Sequence, residues 1–366
     1  MQQNEAGQTK YARLMEFIKD EILMGRIKPG DQIPSENTLV EQFSLSRHTV
    51  RKAVSMLVNE GFLYTEHGRG TFCRDRSVNR TNSRNIGVIT TYISEYIFPR
   101  VIQGIDSVLS ENGYSIMLKN TDNDVEKEAT YLQEILEKDL EGLIIEPTKS
   151  SVFSNNIRYY KALDEHNIPY VFIHGTYQQL ENKPQIILDD SEGMYMAVKY
   201  LMGLGHKNIT GIFKADDIQG IERHKGYARA LAEGNIQYDP DKVIWFHTED
   251  REIKPYSTVE AFIKSGRKID AVACYNDQIA FGVYQKLTEL GVSVPKDISL
   301  TGFDDSYYAA SCPVKLTSVS HPKDQLGRMA AQTLLKMLED PEYAKSTIKK
   351  VITPQLVVRD SCAGKI

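Results

Sequence analysis

Polar residues recur at one kind of place in this chain, directly after short apolar runs. Glu146 closes Leu143-Ile144-Ile145, His174 closes Tyr170–Ile173, and Asp189-Asp190 follow Ile186–Leu188. Further on, Lys214-Ala215-Asp216-Asp217 precedes Arg223, Asn276-Asp277 and Asp304-Asp305 each follow an apolar run, and His321 stands in a late connecting segment. Tyr92, Tyr96 and Phe98 come after Ile86–Thr90, and Lys119 comes after Ser115–Leu118. Carboxylates, an amide and a guanidinium beside aromatic rings suit a polyhydroxylated ligand. Each hydroxyl both donates and accepts, and the C–H faces pack on rings. One such residue is ordinary loop polarity; its repetition after successive runs is the signal.

A second constellation sits near the N-terminus. Ser46 is a good helix N-cap, and Val50, Ala53, Val54 and Leu57 then recur at helical spacing as one apolar stripe. Arg47, His48, Thr49 and Arg51 fall at the helix start and largely off that stripe. A buried back with cationic, donor-rich residues at the N-terminal end suits the DNA major groove, where an ordinary surface helix would show solvated charges alone.

The elements that must position these groups are legible around them. Tyr11–Met24 shows Leu14, Phe17, Ile18 and Ile22 at helical spacing, and Ser35 caps a second short helix holding Leu39, Val40 and Phe43. Two short helices and a tight turn make a helix-turn-helix. Phe62–Thr65 and Thr71–Cys73 flank His67-Gly68-Arg69-Gly70, which predicts a β-hairpin wing whose Arg69 can reach a phosphate or minor groove. Residues 74–84 hold one apolar residue and four arginines, the composition of a flexible, solvated connector. From residue 85 onward, continuous apolar runs alternate with helical periods, which argues for parallel sheets covered on both faces. Nine such runs fit two lobes better than one, and ligands in open α/β sheets bind beyond the strands' carboxyl ends. The expected fold class is α/β: an N-terminal winged helix-turn-helix (1–73), a linker (74–84), and two Rossmann-like lobes forming a sugar-binding and dimerisation domain (85–366).

Charge follows the same division. Residues 1–83 carry 12 Lys/Arg against 10 Asp/Glu, while the rest hold 32 against 39, for a chain net of −5. A mildly basic head on an acidic body fits a DNA-binding module joined to something else. The four cysteines stand far apart with no CxxC pair, which disfavours a zinc finger or disulfide framework. No signal-peptide core and no run of roughly 18 apolar residues is present, so a soluble, cytoplasmic protein with no membrane partner is expected.

With these residues in view, residues 10–73 resemble the gluconate-repressor (GntR-type) winged helix-turn-helix. The resemblance rests on Pro29-Gly30-Asp31-Gln32-Ile33-Pro34-Ser35-Glu36-Asn37, Ser46–Ala53 and His67-Gly68-Arg69-Gly70-Thr71-Phe72. It implies base and phosphate contact from Glu36, Arg47, His48, Thr49 and Arg51, with Gly68 at the wing tip. Together with Ser35 and Arg69, these form the expected DNA-binding set. Many members carry an arginine where this chain has Asn37, which cannot make the charged bidentate contact to guanine. The body resembles the lactose/galactose-repressor core through Gln103-Gly104-Ile105-Asp106, Leu188-Asp189-Asp190, Arg223–Tyr227, Asn276–Ala280 and Gly302-Phe303-Asp304-Asp305. That likeness implies two lobes closing on a sugar, with Phe98, His174, Asp189, Arg223, Asn276, Asp304 and His321 lining the cleft. Tyr92, Tyr96, Lys119, Glu146 and Asp277 complete the expected sugar-binding set. A GntR-type head on this core is similar to the arabinose repressors of Gram-positive bacteria, which implies an operator-binding homodimer released by L-arabinose. Another pentose or hexose would suit the same architecture.

Two rivals remain. The Asp-Asp pairs and histidines would suit a sugar-modifying α/β enzyme, but no HExxH, GxSxG or Walker loop is present. A transport-associated binding protein would lack the winged head. No catalytic residue, metal site or cofactor is expected.

Overall fold

The computed structural model describes residues 9–75, 83–94 and 96–365. Residues 76–82 of the expected flexible linker lie outside the described residues. The chain packs as two compact units. One comprises Met1–Gly87, Ala129–Leu143 and Asn155–Pro169; the other comprises Val88–Glu128, Ile144–Ser154 and Tyr170–Ile366.

The head is built from α1 (Lys10–Leu23), α2 (Glu36–Phe43), α3 (Arg47–Asn59), β1 (Leu63–Glu66) and β2 (Gly70–Cys73). Two serines start its second and third helices: Ser35 Oγ accepts from Thr38 N at 3.2 Å and Ser46 Oγ from Thr49 N at 3.1 Å. Ser44, in the left-handed region at φ 52°, ends α2 and turns the chain into α3. Val50, Ala53, Val54 and Leu57 are buried, as their spacing predicts. Phe17 departs from its predicted stripe: it is partly exposed and meets Phe43 edge-on, ring centroids 4.9 Å apart. The antiparallel pair β1–β2 turns through Gly68 at φ 76°, and Ile33 N and Cys73 N tie the α2 lead-in to the hairpin.

The body continues with β3 (Asn85–Thr90), α4 (Phe98–Glu111), β4 (Ser115–Asn120), α5 (Val125–Glu137), β5 (Gly142–Ile145), α6 (Ile157–Glu165), β6 (Tyr170–Ile173), β7 (Gln185–Leu188) and α7 (Asp190–Gly203). Next come β8 (Ile209–Lys214), α8 (Ile218–Glu233), β9 (Val243–Phe246), α9 (Lys254–Lys264), β10 (Ala271–Cys274), α10 (Asp277–Glu289), β11 (Ser299–Asp304) and α11 (Tyr307–Ser311). The last elements are β12 (Thr317–Ser320), α12 (Lys323–Glu339), α13 (Pro341–Lys345), β13 (Lys349–Ile352) and β14 (Leu356–Val357). Two six-stranded sheets result, ordered β13-β7-β6-β5-β3-β4 and β14-β12-β11-β10-β8-β9. All nine predicted apolar runs are strands. Three further strands escape the apolar signal for physical reasons. The hydroxyl-rich β12 buries Thr317 and Ser318 behind hydrogen bonds to Ser361 and Asp277, β13 is a half-exposed edge, and β14 has two residues. The consequence is topological. The chain crosses between the lobes after β7, β12 and β13, so the second half of the sequence completes the first sheet.

Two close helix crossings set the geometry of the cleft. A Cβ on Gly226 of α8 would lie 2.0 Å from Ser191 O of α7, so only glycine lets these helices approach beside Asp190 and Arg223. A Cβ on Gly104 of α4 would lie 2.3 Å from Asp324 O, which brings the helix begun by Phe98 against the one that follows His321.

Candidate functional site

A cavity of about 90 Å³ lies within the second unit, where the carboxyl ends of strands from both sheets converge. One water needs roughly 10–15 Å³ by this measure, so the space is on the scale of one small polyol rather than an oligosaccharide. Arg223 is its electrostatic centre. Its Nε donates to Asp190 Oδ1 at 2.8 Å, one Nη to the Tyr275 carbonyl at 2.6 Å, and the other to Asp304 Oδ1 at 3.3 Å. The guanidinium also lies over the Phe303 ring, 3.6 Å from its centroid. Burial works against this cation, yet Asp304 and Asp190 outweigh it and hold the Arg223 pKa above the ordinary arginine value. Burial pushes the Asp190 carboxyl up to about 6 against the pull of Arg223. Tyr96 closes the network: its hydroxyl donates to Asp304 Oδ2 at 2.6 Å and accepts from Asp277 N at 3.2 Å. Opposite, Lys214 Nζ pairs with Asp217 Oδ2 at 2.6 Å.

The imidazoles supply unused hydrogen-bonding capacity. His174 Nδ1 lies 2.9 Å from Glu146 Oε1, while Glu146 Oε2 accepts from Thr91 N at 3.0 Å and Thr91 Oγ1 at 2.5 Å. Burial raises the Glu146 pKa, but the His174 and Thr91 interactions outweigh it and leave the carboxyl below its ordinary value. The Glu146 carboxylate beside Nδ1 places a proton on that nitrogen. His174 Nε2 and both ring nitrogens of His321 are buried without a protein partner. Such groups are costly to leave unmade, and ligand hydroxyls are matching partners. Burial pushes His321 well below the ordinary histidine pKa, so its ring is neutral where it meets His174, centroids 5.1 Å apart. Tyr96, His174 and Asp304 adopt positive φ of 60°, 63° and 91°, backbone strain gathered at one site.

The head presents a separate chemistry. Arg47, His48 and Arg51 are exposed at the start of α3, with Thr49 beside them. Glu36 holds Arg51 through contacts of 3.4 and 3.2 Å, pre-orienting an exposed guanidinium. At the wing, Arg69 pairs with Glu66, and Gln32 Nε2 donates to Arg69 O at 2.9 Å. Gly68 and Ser35 are both exposed.

Comparison with known proteins joins the two chemistries. Residues 10–73 match the model of bacterial regulatory proteins of the gntR family, and residues 198–362 match that of a periplasmic binding protein-like domain. The chain is 40% identical to an arabinose metabolism transcriptional repressor of Halalkalibacterium halodurans, over 97% of each chain. A second repressor of that name, from Geobacillus stearothermophilus, is 39% identical over 96% of this chain and 97% of its own. The chain belongs to the arabinose metabolism transcriptional repressors. It is a sugar-responsive repressor and not an enzyme. Among solved structures, a ribose-bound LacI family transcriptional regulator from Enterococcus faecium matches with a TM-score of 0.65 and 25% identity, covering 77% of this chain and 100% of that one.

In this repressor, nine residues singled out from the sequence line one cavity: Tyr92, Tyr96, Phe98, Glu146, His174, Arg223, Asn276, Asp304 and His321. Three others do not line it. Asp189 caps α7 instead, accepting from Glu192 N at 2.9 Å, and its neighbour Asp190 is the residue turned toward Arg223. Asp277 is fully buried behind Asp304, accepting from Ser306 N at 2.7 Å and Ser318 Oγ at 2.6 Å, and burial pushes its carboxyl up to about 7. Lys119 stands on β4, the edge strand of its sheet. The cavity also takes in Asp190, Lys214 and Asp217, visible as polar residues after apolar runs, and Tyr275 and Arg251, which carried no sequence signal. Arg251 lies over the Tyr92 ring, 5.2 Å from its centroid.

Proposed function

We propose that two copies of this repressor pair through the body (residues 85–366) and set two heads (residues 1–73) on a two-fold symmetric operator, and that L-arabinose in the cavity releases them. The observation that carries this reading is 40% identity along 97% of both chains to a repressor named for arabinose metabolism. The cavity supports it, with a volume on the monosaccharide scale and unpaired nitrogens on His174 and His321. In this reading Arg223, Asp304, Asp190, Glu146 and Asn276 bind hydroxyls, and Phe98 and Tyr92 pack on C–H faces. The heads contact DNA through Ser35, Glu36, Arg47, His48, Thr49, Arg51, Gly68 and Arg69, with residues 74–84 as connector. Among the described residues no helix is long and apolar enough to cross a membrane, and we place the protein in the cytoplasm.

A sugar shifts operator occupancy only through different affinities for the bound and released forms. Moving the balance from roughly 1:99 to 99:1 takes about 5.5 kcal/mol. The test is thermal shift and titration calorimetry over pentoses and hexoses, then operator binding at fixed salt with and without L-arabinose. Tight arabinose binding with unchanged operator affinity would sink the induction model. Binding of a different sugar alone would move the effector assignment.

A further inference from the structure

We infer that a clasp outside the cavity, built from Asn123, Ser150 and Ser151 of the first lobe, positions the effector-binding groups of the second. The start of α8, the helix that carries Arg223, receives no cap from its own N-cap residue: the Asp217 side chain accepts no capping bond. Ser150 supplies one from the opposite lobe, its Oγ accepting from Ile218 N at 2.9 Å. Beside it, Ser151 Oγ donates to Ala215 O at 2.6 Å. Asn123 completes the clasp. Its Nδ2 donates to Thr248 Oγ1 at 2.7 Å and to Asp217 Oδ1 at 3.3 Å, while its Oδ1 accepts from Lys149 N at 2.8 Å. Thr248 is aimed by Asp216, whose Oδ2 accepts from Thr248 Oγ1 at 2.7 Å. Lys149 also pairs with Glu249 across the cleft. Asn123, Ser150 and Asp216 are all nearly fully buried.

Every one of these bonds joins the two lobes except those that aim Thr248 and anchor Asn123 on Lys149. They therefore exist only when the lobes are closed. Asp217 is the link to the cavity: it is held by Asn123 on one oxygen and by Lys214 on the other. Ser150 and Asn123 are thus positioning residues. They do not line the cavity, and they hold the α8 terminus and the Lys214–Asp217 pair that does. Losing the Ser150 cap removes a bond worth a typical N-cap from the closed form alone; with open and closed forms comparably populated without sugar, this weakens effector affinity roughly three-fold.

Two measurements on the full-length protein test this, the second resting on the proposed sugar function. In sugar-free protein, site-resolved hydrogen exchange at the Ile218 amide is expected to be roughly two-fold faster in Ser150→Ala than in wild type, because the bond protects only the closed fraction. The Gly220 amide, bonded within the helix to Asp217 O, keeps its rate. Ser150→Thr, which retains the hydroxyl, restores Ile218 protection. Equal Ile218 rates in wild type and Ser150→Ala overturn the clasp whatever the sugar does. In titration with L-arabinose, the Kd is expected to rise roughly three-fold in Ser150→Ala and return to near wild type in Ser150→Thr. An unchanged Kd in Ser150→Ala also overturns the proposal. If wild type itself ignores L-arabinose, the effector reading fails and the exchange result still decides the clasp.

Discussion

The reading helix and the cavity are opposite solutions to presenting charge. At α3 the cations are exposed, their helix is started by a serine one residue away, and the apolar stripe behind them comes from the same helix. In the cavity, Arg223 is buried, and its partners come from α7, β11 and the residue after β10, at separations of 33, 81 and 52 residues along the chain. The head therefore keeps its cations in water, where an exposed pair such as Arg51–Glu36 costs little to exchange for another partner. The cavity has already taken its charges out of water and must keep each one paired.

That contrast can be broken most severely at Arg223. Arg223→Ala leaves Asp190 and Asp304 buried without their cation, a loss of about 3–5 kcal/mol. Calorimetry should show the unfolding midpoint falling by on the order of 10 °C, with sugar binding abolished. A shift of only about 2 °C would mean that the two carboxylates do not depend on this guanidinium.

On the head, His48→Ala and Arg51→Ala should each weaken specific operator binding by roughly 1–3 kcal/mol while leaving sugar titrations unchanged. Equal loss of sugar affinity would show that the two chemistries are not separable. A smaller effect belongs to the cap of α3: Ser46→Ala should cost the head about 1 kcal/mol in denaturant unfolding, and Ser46→Asp should restore it.

The finest distinction is in pH. Burial holds the His321 pKa well below the ordinary 6.5, so below that pH the unfolded chain takes up a proton that the folded chain refuses. This part of the stability is fully present above pH 6.5 and is lost as pH falls. Compared with His321→Asn, wild type should therefore lose stability between pH 6.5 and 5, with a slope no steeper than about 1.4 kcal/mol per pH unit. A difference that does not vary with pH would mean that folding leaves the His321 pKa unshifted.

The two regions also differ in how far they could be read without coordinates. Ser35, Ser46 and the stripe through Leu57 act over one or two helical turns, so residue type and spacing suffice. The post-strand rule located nine cavity residues because a parallel sheet sends all its carboxyl ends to one side. It failed at adjacent pairs. Asp189 and Asp190 both follow β7, and only the start of α7 decides that one caps while the other meets Arg223. Asp277 was drawn by the same rule but is consumed by Ser306 and Ser318. Asn123 and Arg251 gave no signal, since their partners belong to distant segments.

The sequence by itself determined the winged head, the alternating α/β body and the chemical class of the cleft, because those follow from local caps, periodicity and the repeated polar residue after each strand. Only the tertiary structure decided which carboxylate faces Arg223, that the last strands return to complete both sheets, and that Ser150 caps a helix of the other lobe. Those outcomes depend on where segments far apart in the chain meet, and no local pattern encodes a meeting point.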